Sequence, residues 1–172
     1  MLLLVAIALA MSPPGYKPVS TPIADGAAEQ AVADMLTGIA SFTRWPTPHM
    51  PLRLCLAGVA RFVTKTPNSL LNQELLVRAL PPSIAAGQIA DQCDIVYLGA
   101  LAPAPAARLL AATRNAPILT IAEDDPACRS GAMFCLQVGP GRTSFELNLD
   151  AVSRGGVTID PRVLRLSREA HR

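Results

Sequence analysis

With 172 residues, 51% of them apolar, and 15 basic against 13 acidic side chains for a net charge of +2, the chain has the length and composition of one globular domain. Neither charge sign forms a long run, and four Phe, two Tyr and one Trp are too few aromatics to interleave with a basic stripe, which argues against a nucleic-acid binder. A chain of this size buries roughly two thirds of the surface it exposes when unfolded, so one core suffices.

Met1 to Met11 is almost wholly apolar, too short to span a bilayer, and contains Ala8-Leu9-Ala10, a small-x-small pattern suited to cleavage after Ala10. Residues 1–10 are expected to be an export signal, although no Lys or Arg precedes the apolar run. Pro, Gly, Ser and Thr mark residues 11–26 as a flexible lead, which leaves 27–172 as a single domain.

Apolar residues at Ala28, Val32, Met35, Leu36, Ile39 and Phe42 have the three-and-four spacing of an amphipathic helix over Ala27–Phe42. Pro46 forces Trp45 out of helical geometry, and this single tryptophan either plugs the helix end against the sheet or anchors a partner. Leu52–Ala57 reads as the first strand, Val59–Gln73 as a short helical or irregular piece, and Glu74–Leu80 as the second strand, stopped by Pro81-Pro82. Ser83–Gln92 leads to Cys93-Asp94-Ile95-Val96-Tyr97-Leu98-Gly99, a continuous apolar run of the kind buried on both faces at the centre of a sheet.

Pro103–Thr113 follows as a helix with its prolines tolerated in the first turn, and Ile118–Ala122 as a fourth strand. The rhythm then changes. Met133–Val138 and Thr143–Leu147 flank Gly139-Pro140-Gly141-Arg142, the pattern of an antiparallel hairpin. Asp150 is placed to cap a short helix to Arg154, Val157-Thr158-Ile159 is extended, and Asp160-Pro161 opens a last helix through Val163, Leu164 and Leu166. The expected fold is α/β: a mostly parallel central sheet flanked by helices, with a C-terminal antiparallel hairpin.

Four cysteines, Cys55, Cys93, Cys128 and Cys135, include no Cys-x-x-Cys pair, and His49 and His171 are the only imidazoles, so zinc is not expected. In an exported chain they read as two disulfides, and of three connectivities Cys55 with Cys93 and Cys128 with Cys135 is favoured. Neither histidine is placed to serve as the base of a nucleophilic triad. Glu123-Asp124-Asp125, after the fourth strand, sits where open sheets place ligand groups and reads as a cation site, an acid/base pair or a solvated turn. No enzyme, metal or cofactor is expected.

Several of these segments come in a recognisable order. Phe42-Thr43-Arg44-Trp45-Pro46 closes the first helix, and Leu54-Cys55-Leu56-Ala57-Gly58 and Cys93-Asp94-Ile95-Val96-Tyr97-Leu98 are strands. Ile118-Leu119-Thr120-Ile121-Ala122-Glu123 precedes the Cys128–Cys135 loop, and Phe145-Glu146-Leu147-Asn148 and Val163-Leu164-Arg165-Leu166 follow it. This order resembles the YfiR family of periplasmic proteins over about residues 27–170. The resemblance implies a periplasmic repressor that binds an inner-membrane diguanylate cyclase (YfiN-like) and is sequestered by an outer-membrane lipoprotein (YfiB-like). Release of such a repressor raises cyclic di-GMP and promotes biofilm formation. The cysteine pairs look like those of the family, where disulfide state is linked to folding and repression.

A disulfide-stiffened homodimer holding one conformation of the sensor is the expected mechanism, with Trp45, Phe134, Glu146 and Val152 as candidate partner contacts. The alternative is a periplasmic small-ligand module with a pocket near Gly99 and Glu123.

Overall fold

The structure is a computed structural model, and it describes residues 26–63, 69–70, 73–81, 86–125, 127–139 and 142–169. The expected export signal and most of the lead lie outside the described residues. In chain order the elements are α1 (Gly26–Ser41), β1 (Thr43–Arg44), β2 (Leu52–Ala57), β3 (Ser69–Leu70), β4 (Gln73–Ala79) and α2 (Ala86–Gln92). They continue with β5 (Ile95–Leu98), α3 (Pro103–Ala112), β6 (Leu119–Ala122), β7 (Phe134–Gly139) and β8 (Arg142–Leu147). Then come α4 (Leu149–Ser153), β9 (Thr158–Ile159), a 3-10 turn at Pro161–Val163 and α5 (Leu164–Glu169).

Seven strands form one sheet in the order β3-β4-β2-β5-β6-β7-β8. β4, β2, β5, β6 and β7 run parallel, and β8 returns antiparallel beside β7 as the expected hairpin. All four residues of β5 and of β6 are buried, as continuous apolar runs covered on both faces should be. Alternation divides the core. Leu52, Leu54, Ile95, Tyr97, Leu119, Ile121, Phe134 and Leu136 pack with Val32, Leu36 and Ile39 of α1 on one face. Cys55, Ala57, Val96, Leu98, Ala122 and Cys135 pack on the other, with Ile89 of α2 and Ala106 and Leu110 of α3.

The chain leaves β2 for β4 and then crosses back past β2 to β5. Such a reversal normally leaves a ligand crevice between the C-terminal ends of the two inner strands. Here the chain closes it with its own backbone: Val59 N–H donates to the Ala100 carbonyl (3.1 Å) and Ala100 N–H to that of Val59 (2.8 Å). Gly58 (φ +77°) and Gly99 permit this approach, because a Cβ at Gly58 would meet Ala100 O at 2.5 Å and one at Gly99 would collide with Val59 O.

Three expectations need correction. The segment from Val59 to Gln73 contains this bridge and the short strand β3 paired antiparallel to β4; residues 64–68 and 71–72 lie outside the described residues. Asp150 does not cap α4. The cap is Asn148, whose extended backbone lets its side-chain oxygen accept from Ala151 N–H (3.0 Å), while Asp150 lies in the first turn and pairs with Arg154. Leu110 faces the sheet as expected, but Leu109 is only half-buried. Asp160 does cap the last helical segment, accepting from Arg162 N–H (2.9 Å), and β9 pairs antiparallel with β1. The Arg162 side chain and N–H bring the Asp160 carboxyl down to about 2.

Candidate functional site

At the N-terminal edge of the parallel strands, Pro46 turns the chain after β1, and half-buried Trp45 packs against the α1-side core. Its indole N–H donates to the backbone carbonyl of Asp94 (3.1 Å). The Asp94 carboxylate is 2% exposed, and the chain between Trp45 and β2 wraps around it. Arg53 N–H donates at 2.8 Å, His49 Nδ1 lies at 2.7 Å, and the Arg53 Nε stands at 3.5 Å. Arg53 Nη2 approaches both ring nitrogens of His49, with Nε2 at 2.7 Å. The polar cluster thus binds Trp45, His49 and β2 to the start of β5.

At the opposite edge, Glu123 directly follows β6 and is 9% exposed. It accepts from Arg61 N–H (2.8 and 2.9 Å to its two oxygens), Phe62 N–H (3.1 Å) and the Tyr97 hydroxyl (2.9 Å). Burial, and then the Glu123 charge, push the Tyr97 phenol well above its ordinary value, which keeps it a donor at any physiological pH. Asp124 pairs with Arg61 at 3.2 Å. Glu123 and Asp124 thus act as a clamp on Arg61 and Phe62. Glu123→Ala leaves two backbone donors and a phenol buried without acceptors, and is expected to cost about 3 kcal/mol in urea unfolding; Glu123→Gln, which retains acceptor capacity, is expected to cost less than half of that. Equal losses in the two variants would show that packing volume, not the hydrogen bonds, is what matters. Beside the clamp, Leu98, Gly99, Pro103, Ala122, Asp125 and Arg129 border a cleft of about 460 Å³.

Asp125 opens the turn that carries the second cysteine pair. Its carboxylate accepts from Arg129 N–H (3.0 Å) and Ser130 N–H (2.9 Å), its carbonyl from Cys128 N–H (3.0 Å), and its own N–H donates to Leu136 O (2.9 Å). Partial burial pushes the Asp125 carboxyl up, but the Ser130 and Arg129 hydrogen bonds outweigh it and hold the pKa below the usual value. Disulfides join Cys128 to Cys135 and Cys55 to Cys93, with Cα atoms 5.2 and 5.7 Å apart. The Cys55–Cys93 bridge is buried and fastens the C-terminal end of α2 to the middle of β2.

The four candidate contacts occupy different settings. Phe134 is 0% exposed and meets Phe145 edge to face, with centroids 5.1 Å apart. Phe134, a candidate contact by sequence, lies in the core beneath the hairpin. Glu146 is exposed on β8, directly across from Cys135 in the register. Val152 is half-buried on α4, and Trp45 half-buried at the N-terminal edge. Glu146 and the Cys128–Cys135 bridge are thereby adjacent strand neighbours. The Asp94 cluster was not anticipated: its partners lie 41 and 45 residues away, and an acid at the head of an apolar strand was the one available signal.

These features define a doubly wound α/β scaffold with two internal bridges, in which the conspicuous polar groups hold the chain together and the cleft beside Glu123 borders the sheet's C-terminal edge. The chain belongs to the YfiR/HmsC-like family, whose model matches residues 29–168. It is therefore grouped with periplasmic regulators of cyclic di-GMP signalling and not with known enzymes. No helix among the described residues is long and apolar enough to cross a membrane.

Proposed function

We propose that this protein is a periplasmic negative regulator that binds an inner-membrane diguanylate cyclase and holds its inactive conformation, lowering cyclic di-GMP and biofilm formation. The observation that carries this reading is the family match over residues 29–168. A repressor of this kind works only through tighter binding to the off state than to the on state, which favours a stiff binding surface. Two disulfides provide stiffness, and one includes Cys135, the cross-strand neighbour of Glu146. Glu146, Val152 and Trp45 are the proposed contacts, with Phe134 supporting the hairpin from inside. The protein acts as a homodimer, and a YfiB-like outer-membrane lipoprotein competes for it.

The direct test is capture of the purified chain by the periplasmic segment of the cyclase. Glu146→Lys, a change at an exposed position, is expected to weaken capture at least fivefold while leaving unfolding within about 0.5 kcal/mol of wild type. Unchanged capture would remove Glu146 from the interface. A second reading, a small-ligand module, is favoured by the cleft of about 460 Å³ beside Gly99 and Glu123. Saturable ligand binding with no capture of the cyclase segment would replace the first reading with this one.

A further inference from the structure

A second cavity, of about 270 Å³, lies between α2 and α3 at the C-terminal end of β2, across the sheet from Trp45. Leu80 and Ile89 form its buried floor, and Leu101, Pro105 and Leu109 its walls. Arg108 is the one charged residue among the described lining residues, and its guanidinium makes no hydrogen bond or ion pair among them. An apolar slot with one unpaired cation at its rim has a definite chemical complement: an apolar body to displace water from the floor, and a single anionic head to meet the guanidinium.

Each wall is restrained at one end. The Cys55–Cys93 bridge ties the C-terminal end of α2 to β2, and Pro103 and Pro105 set the backbone of the first turn of α3. A preformed slot loses little ordering entropy on binding, which favours a small occupant over a flexible chain. We propose that the α2–α3 groove is a binding site for a small monocarboxylate with an apolar body, its head held by Arg108 and its tail by Leu80, Ile89, Leu101 and Leu109. This site is separate from the proposed cyclase surface and from the cleft beside Glu123, and stands independently of both.

Calorimetric titration of the full chain with octanoate tests the proposal, with 1-octanol as the neutral analogue. Wild type is expected to bind octanoate saturably, Arg108→Gln about tenfold more weakly, and Leu109→Trp, which fills the slot, not at all. Arg108 is exposed, so Arg108→Gln retains the fold and keeps the test decisive if Leu109→Trp does not fold. No saturable heat with wild type, equal affinity in Arg108→Gln, equal affinity for octanol, or binding that survives in folded Leu109→Trp would each overturn the assignment. So would a dimer, measured by sedimentation, that Arg108→Gln or Leu109→Trp dissolves in a chain that binds no octanoate, because the groove would then be a protein interface.

Discussion

A Cys55→Ser, Cys93→Ser double variant is expected to lose about 4 kcal/mol of stability, and a Cys128→Ser, Cys135→Ser variant only about 2 kcal/mol. The difference follows from the closed loops. The first bridge spans 38 residues and the second 7, and the entropy removed from the unfolded chain grows with the logarithm of loop length. Position in the fold adds to it: Cys55 and Cys93 are buried between β2 and the end of α2, whereas the turn at Cys128 keeps four hydrogen bonds through Asp125 when its bridge is gone. Thermal unfolding should fall by roughly 8–16 °C for the first variant and about half of that for the second. Functionally the order reverses. Opening the Cys128–Cys135 bridge should loosen the strand paired with Glu146 while most of the fold survives, so repression is expected to be lost with modest destabilisation. Equal melting losses in the two variants would contradict the loop argument.

Phe134→Ala is expected to cost about 3–5 kcal/mol, because it empties a fully buried site and removes the edge-to-face contact with Phe145. A loss of this size takes a third or more of the total stability of an ordinary domain. Any loss of repression in this variant should therefore track the amount of folded protein, measured by circular dichroism and by level in the periplasm. Phe134→Leu, which keeps most of the volume, should restore both together. Glu146→Lys is the contrasting case, with folding intact and partner capture reduced. Should Phe134→Ala stay fully folded yet fail to repress, the buried position would be wrong and Phe134 would return as a contact.

Much of the architecture was legible in the chain because it depends on local signals. Leu52–Ala57 is the observed β2 residue for residue, and the apolar run around Ile95–Leu98 lies at the centre of the sheet, covered on both faces. Helix α1 begins and ends within one residue of the span its periodicity marked. What escaped depends on contacts distant in sequence. Nothing near Val59 announces its bridge to Ala100, and nothing near His49 points to Asp94. The α4 cap was misplaced by two residues because Asn148 and Asp150 are both good capping residues, and the choice between them rests on where β8 ends and the backbone stays extended. Phe134 is a candidate contact by its place in the Cys128–Cys135 loop. Strand pairing draws it instead beneath the sheet's α1 side, where alternation with Cys135 puts the two on opposite faces. The groove at Arg108 was invisible in the sequence, since a cavity between two helices is a property of their separation.

The measurement that tests the central claim most directly is cellular cyclic di-GMP in a strain lacking this protein, complemented with wild type and with the Cys128→Ser, Cys135→Ser variant. The expected result is a rise on deletion that wild type reverses and the variant does not. An unchanged level on deletion would contradict repression of a diguanylate cyclase.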